Sequence, residues 1–474
     1  MQRRAQTLNG ARAEVGTRAA WCSSNASLVK GFLMQSAAFK TALGLVLGVA
    51  FSMAATPAEA QESGLDAARD TRDKAKATPT SVDASLAYGH ALRRAGRENE
   101  AVTELRRGFG ISGGKSEIAG RVQWELARTF VARRDFEQAM GTCRAMAKSP
   151  AAEAASHVCA AEAHLLWRRG TEAEAEIGQL AKSASGKAAS AEVQYFAKVA
   201  TGRALELASK DPEAESAYRD AIRLGDSRPD AHVLLGVMLR RTGRDGVPSL
   251  QKAVDLDGHD AVAQLELGRA LPAGSPPSLA ALERSVAERP TSTDGLRALA
   301  DGYVASNRLA DAKRIVDTVL KLAPNDVNTH VVAGRLALAE GRADDAINEG
   351  ETAAKLMPNV QAARLLVADA WAKKGEIDLA VEAYQAAFGL DRADPTPLVN
   401  AAAACLAAGR VTTAKAFGVR ATKDFGASGS AWTALGDALA ADRDVSGAKA
   451  AYETAKKARG GDPAALDKKL SRLK

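Results

Sequence analysis

The chain has 474 residues and a formal net charge of +7. Positions 1–60 hold six Lys or Arg against two acids, a net of +4, so positions 61–474 carry only +3. That near-neutral balance argues against a globally basic nucleic-acid-binding protein, and no nucleic-acid partner is expected.

Residues 1–60 read as a secretory signal peptide. Lys40 precedes the apolar run ALGLVLGVAFSMAA (42–55). The run is too short for a bilayer span, which takes about 20 apolar residues. Ala58 and Ala60 then supply the small residues of a cleavage site. A start at Met34 would give a signal of ordinary length, and Met34 is the expected initiator. The competing reading keeps the run as a membrane anchor. No Cys follows at a lipid-attachment position, and no later segment is long and apolar enough to span a membrane. A periplasmic or secreted chain with no transmembrane segment after cleavage is expected. Residues 61–81, charged and poor in apolar side chains, read as a linker.

Beyond the linker a period appears. Ala312, Ala346, Ala380, Ala414 and Ala448 recur at one constant interval; so do Gly341, Gly375 and Gly409, and so do Pro290, Pro324 and Pro358. Small residues at fixed places in a period of about 34 residues mark a helical-hairpin repeat. In the last copy Trp432, Leu435 and Leu439 form one helical stripe, and Ala448, Tyr452 and Ala455 form a second. Gly436 and Ala448 let the two helices approach, with Tyr452 filling the space beside them. The glycines five positions before the alanines should end the first helices, where a positive φ is often needed.

The combination Trp432, Leu435, Gly436, Leu439, Ala448, Tyr452 and Ala455 resembles the tetratricopeptide repeat family. Eleven copies are expected, at about 82–115, 120–153, 156–189, 195–228, 229–260, 261–292, 293–326, 327–360, 361–394, 395–428 and 429–462. The second-helix alanines of the first four are read as Ala101, Ala139, Ala175 and Ala214, with Pro248 in that place in the fifth. Residues 463–474 follow as a capping helix, with Asp462 as N-cap, Pro463 in the first turn and an apolar stripe of Leu466, Leu470 and Leu473. The resemblance implies an all-α, right-handed superhelical solenoid over 82–462, its first helices lining a concave surface that takes peptides.

Catalytic signatures are missing from the sequence. There is no phosphate loop, no H-E-x-x-H and no nucleophile elbow; GKSEIAG (114–120) lacks the upstream glycine and strand of a phosphate site. No enzyme activity, catalytic residue, cofactor or metal is expected. His157, Cys159 and His164 are the one cluster of metal-ligating types; Cys159 is read at the place that Trp432 takes in the last copy, hence in the packing. Cys143 and Cys159 should be neighbours, either joined in a disulfide or buried as small side chains.

The expected function is a protein-interaction scaffold of the bacterial cell envelope, with an accessory subunit of exopolysaccharide synthesis or export as the alternative. At 4% aromatic the chain is poorly furnished for sugar stacking. In the family, the residue after the small residue of the first helix faces the groove. That selects His90, Arg128, His164, Arg203, Val237, Arg269, Asp301, Arg335, Asp369, Ala403 and Asp437, with Arg94, Arg168 and Arg241 one turn further. The groove should be basic in its first half, favouring an anionic protein or peptide segment there.

Overall fold

The computed structural model describes residues 82–473 except Lys115, together with Asp70 and Asp73. The expected signal peptide, its Met34 start and nearly all of the linker lie outside the described residues. Those residues form an all-α repeat solenoid of eleven helical hairpins. The hairpins pair Val82–Arg94 with Glu98–Ile111, Glu117–Ala132 with Phe136–Met146, Glu153–Leu166 with Gly170–Lys182, and Ala191–Leu207 with Asp211–Leu224. Next come Pro229–Arg241 with Val247–Leu256, Ala261–Ala270 with Pro276–Glu288, Thr293–Ala305 with Leu309–Leu322, and Val327–Ala339 with Ala343–Leu356. Gln361–Lys374 with Ile377–Leu390, Thr396–Ala407 with Val411–Asp424, and Gly429–Ala441 with Val445–Lys457 complete the set. A short helix, Ala184–Lys187, follows the third hairpin, and Pro463–Leu470 closes the chain. None of the described helices is long and apolar enough to cross a membrane.

One register runs through the hairpins. Ala101, Ala139, Ala173, Ala214, Ala312, Ala346, Ala380, Ala414 and Ala448 are completely buried. Five positions before each stands a residue with φ between 57° and 85°: Gly96, Arg134, Arg168, Ser209, Asn307, Gly341, Gly375, Gly409 and Arg443. The left-handed residue lets the next amide reach back and satisfy a carbonyl at the end of the first helix, as Arg342 N does to Ala337 O at 2.8 Å. Five of these positions are not glycine, so the turn is imposed by hairpin packing even where the side chain disfavours it.

Two expected positions are corrected. Ala175 is exposed and Ala173 is buried in its place, one full period after Ala139. The register of the third copy therefore begins earlier than expected, by the distance from Ala173 to Ala175. In the fifth hairpin Gly246, not Pro248, stands in the alanine's position: it is buried, a Cβ on it would lie 2.1 Å from Gly236 O, and it precedes the buried Ala253 by the interval that separates Ala448 from Ala455, while Pro248 is exposed in the first turn. Leu250 takes the place that Tyr452 has in the last hairpin, and Gly236 makes room for it; a Cβ there would lie 2.6 Å from Leu250 Cγ. In the last hairpin a Cβ on Gly436 would meet Tyr452 Cε1 at 2.5 Å, so the glycine makes room for the ring.

Cys143 and Cys159 are joined in a disulfide that ties the second helix of hairpin two to the first helix of hairpin three. The corrected register also moves Cys159 away from the Trp432 position, which His157 takes instead. At that position His330 Nε2 meets Pro324 O at 2.9 Å and Trp432 Nε1 donates to Gly426 O at 2.8 Å, each to a carbonyl one loop back. At the C-terminus, Asp462 accepts from Ala465 N at 3.1 Å, and Leu466 is buried with Leu470 and Leu473 against hairpin eleven.

Extended helix packing is confined to neighbours along the chain, yet the solenoid coils back on itself. Arg94, ending the first helix, donates to Asp257 after hairpin five at 2.6 Å. Arg289 after hairpin six donates to Glu98 at 3.4 Å. Arg459 after hairpin eleven donates to the Arg241 carbonyl at 3.1 Å.

Candidate binding cavity

The first helices of hairpins one to five, with the start of the sixth, surround a cavity of ≈ 1110 Å³. His90, Arg94, Arg128 and Arg203 all line it. His164 and Arg168 do not; the corrected register of hairpin three displaces them. The groove positions there are Glu162 and Leu166, and both line the cavity. His164 instead packs edge-on against Phe136, ring centroids 5.7 Å apart, and Arg168 is the left-handed turn residue. Arg241 also lies off the cavity, paired with Asp211 at 2.6 Å and Glu206 at 3.1 Å in the preceding hairpin.

Most of the basic side chains in the cavity are already paired. Arg128 donates to Glu162 at 2.8 and 3.1 Å from the equivalent position one repeat earlier, while Trp124 Nε1 donates to the same carboxylate at 2.9 Å. The Arg128 guanidinium lies over Trp124 and Phe196, 4.6 and 4.1 Å from their ring centroids. Burial alone would lower the Arg128 pKa, but Glu162 and then Glu125 outweigh it and hold the group charged. Glu125 accepts from Arg93 at 2.5 Å and meets His90 Nδ1 at 3.1 Å. Burial alone would raise its carboxyl; Arg93, His90 and Arg128 together hold it well below the ordinary range. Arg228 donates to Glu192 at 2.9 Å.

A few lining residues are left over. Arg121, Arg134 and Arg203 have no ion pair among the described residues. Asp230 has none either; it is open to the cavity but surrounded by protein, and desolvation pushes its carboxyl above the ordinary value. Two apolar side chains, Leu166 (39% exposed) and Val262 (47%), face the cavity uncovered. The lining therefore offers isolated cations, the carboxyls of Asp83 and Asp230, and bare apolar surface between fixed ion pairs.

The remaining expected groove residues behave similarly. A second cavity of ≈ 430 Å³ is lined by Arg269, Asp301 and Arg335 of hairpins six to eight. Arg335 donates to Asp301 at 3.0 Å, again between equivalent positions of successive repeats, and Arg269 donates to Glu266 at 2.9 Å and Asp294 at 3.2 Å. Asp369 accepts from the Tyr384 hydroxyl at 2.6 Å, and Asp437 from the Tyr452 hydroxyl at 2.7 Å. Lys469 of the terminal helix also donates to Asp437 at 2.7 Å. Most expected groove residues are thus paired between or within repeats, and Arg121, Arg134 and Arg203 are the cations of the first cavity left without an ion pair among the described residues.

Comparison with known proteins bears on this architecture. The tetratricopeptide repeat family profile matches residues 297–356 and 331–396, the span of hairpins seven to nine. Among solved structures, yeast Tom70 is similar at 13% identity, covering 83% of this chain and 95% of its own, with a TM-score of 0.45. Cut9 in the APC/C heterotetramer Cut9-Hcn1 is similar at 14% identity, covering 85% and 82%, with a TM-score of 0.43. No protein with a curated description matches the chain.

Proposed function

We propose that the protein is a non-catalytic scaffold that holds an extended protein segment in the cavity of hairpins one to five. The observation that carries this is the uncovered pair Leu166 and Val262, set in a lining where most charges are already paired. Apolar surface left bare in a concave site favours a ligand that covers it. Arg121 and Arg203 are free to receive carboxylates of the same segment, so the ligand is apolar with acidic side chains rather than simply polyanionic. The tetratricopeptide repeat match over hairpins seven to nine supports a protein ligand over a glycan.

The scaffold belongs, on this reading, to a bacterial cell envelope, periplasmic or secreted. Two features support export: the apolar run 42–55 with Ala58 and Ala60, and the Cys143–Cys159 disulfide, a bond that persists in oxidising compartments. N-terminal sequencing of the mature protein should begin at Gln61; a chain that keeps the run and stays in the cytoplasm contradicts export.

The ligand is tested by isolating the protein from envelope fractions and identifying bound proteins and glycans, for the wild type and for Leu166→Asp/Val262→Asp. A protein partner lost in the variant is expected. A partner retained equally by the variant places binding elsewhere, and a glycan in its stead would favour the polysaccharide-machinery reading.

A further inference from the structure

We infer that the first turn of the solenoid is held closed by a charged seam, Arg94–Asp257 and Arg289–Glu98, and opens as a spring when those pairs are broken. The partners lie far apart in sequence, with separations of 163 for the first pair and 191 for the second. They sit at the hairpin-one turn on one side and at the exits of hairpins five and six on the other. Gly96, between Arg94 and Glu98, brings the turn close: a Cβ there would lie 3.6 Å from Thr291 Oγ1 and 3.7 Å from Arg289 Nε.

The seam is made of side chains at turns and helix ends. The apolar clusters run from each hairpin to the next, and no extended helix packing joins hairpin one to hairpin five or six. Each side chain of the two pairs remains between a fifth and a third exposed. Pairs that wet are screened by salt, the Debye length falling from about 30 Å at 0.01 M to about 3 Å at 1 M. The hairpin stack, by contrast, is packed through buried alanines and leucines that salt does not weaken. The molecule therefore has a stiff direction along the stack and a soft one across the seam.

The seam also closes the side of the cavity, since Arg94, Asp257 and Arg289 are all part of its lining. With both pairs broken, the cavity would open along that side as well. This consequence rests on the proposed function, but the spring itself does not.

Small-angle X-ray scattering on the whole protein tests the spring without any ligand. The wild type should be compact at about 0.01 M salt and lengthen at about 1 M, its longest dimension growing by one helix diameter, about 10 Å. Arg94→Ala/Arg289→Ala should be long already at low salt and insensitive to salt, with unchanged helical circular dichroism. Arg94→Asp/Asp257→Arg, which reverses one pair, should recover the compact, salt-sensitive form. Equal dimensions for the wild type and the double alanine variant at low salt would overturn the inference, as would a reversed pair that stays as long as the alanine variant.

Discussion

Arg128 and Glu162 occupy the same position in successive repeats and meet at 2.8 Å, so the cation best placed for a ligand is already bound to its neighbour. Both side chains are about a fifth exposed. Removing Arg128 leaves Glu162 partly buried with only the Trp124 indole as donor. Arg128→Ala should cost about 2–3 kcal/mol, below the ~3–5 kcal/mol of a fully buried pair. Arg203→Ala, with no ion pair to lose, should stay within about 0.5 kcal/mol. Urea denaturation of both variants checks the contrast, and equal losses would mean that the pair is not structural.

The register of hairpin three can be settled by two substitutions. Ala173 is buried against neighbouring helices and Ala175 is exposed. Ala173→Leu should destabilise by about 1–3 kcal/mol through overpacking. Ala175→Leu should change little. The reverse order in thermal unfolding would restore Ala175 to the packed position.

The left-handed turns give a purely backbone prediction. Nothing lies within 4 Å of a Cβ placed on Gly341, so Gly341→Ala should cost about 1–2 kcal/mol from conformation alone. Arg443 already bears that strain at φ 63°. Arg443→Gly should gain about 0.5–1 kcal/mol, the relief being offset in part by the freer unfolded chain. Denaturation midpoints with an unchanged denaturant slope are the readout.

Acid should act through Glu125 with one sign and through Asp301 and Asp369 with the other. The Glu125 carboxyl is held below its ordinary value of 4.5 in the folded state. Its contribution is therefore complete above pH 4.5 and is lost as pH falls towards the folded value. Asp301 and Asp369 are raised, chiefly by desolvation, so the folded state takes up their protons first and these two groups contribute with the opposite sign, against Asp294, Asp311 and Asp378 of the same hairpins, which are lowered by their Arg partners. Hydrogen exchange at descending pH should show hairpins one and two opening first. Glu125→Gln should flatten that dependence; an unchanged slope would remove Glu125 as its source.

Much of the fold is legible in the sequence because the repeat period is carried by side chains with one packing role. Ala312 to Ala448 fill it at full burial, and Gly341, Gly375 and Gly409 have the positive φ their spacing implies. Hairpin three is harder to read because Ala173 and Ala175 are both alanine, and composition alone does not tell a buried one from an exposed one. Spacing from Ala139 does carry the answer, and with it Glu162 and Leu166. Pro248 is drawn into the alanine's place because a full period counted from Ala214 lands on it, whereas the fifth hairpin is shorter and Gly246 packs against Gly236 instead. The paired state of the cavity is out of reach because Arg128–Glu162 depends on how neighbouring hairpins stack, and Arg94–Asp257 on how the solenoid coils back on itself.

The most direct test of the cavity as the binding site is photo-crosslinking in cells, with a photoreactive amino acid placed at Val262 inside the cavity or at Leu322 outside it. Both side chains are similarly exposed, at 47% and 46%, so exposure alone does not distinguish them. A segment held in the first turn predicts a discrete protein adduct from Val262, weakened by Arg121→Ala/Arg203→Ala, and none from Leu322. An adduct from Leu322 with none from Val262 would contradict it.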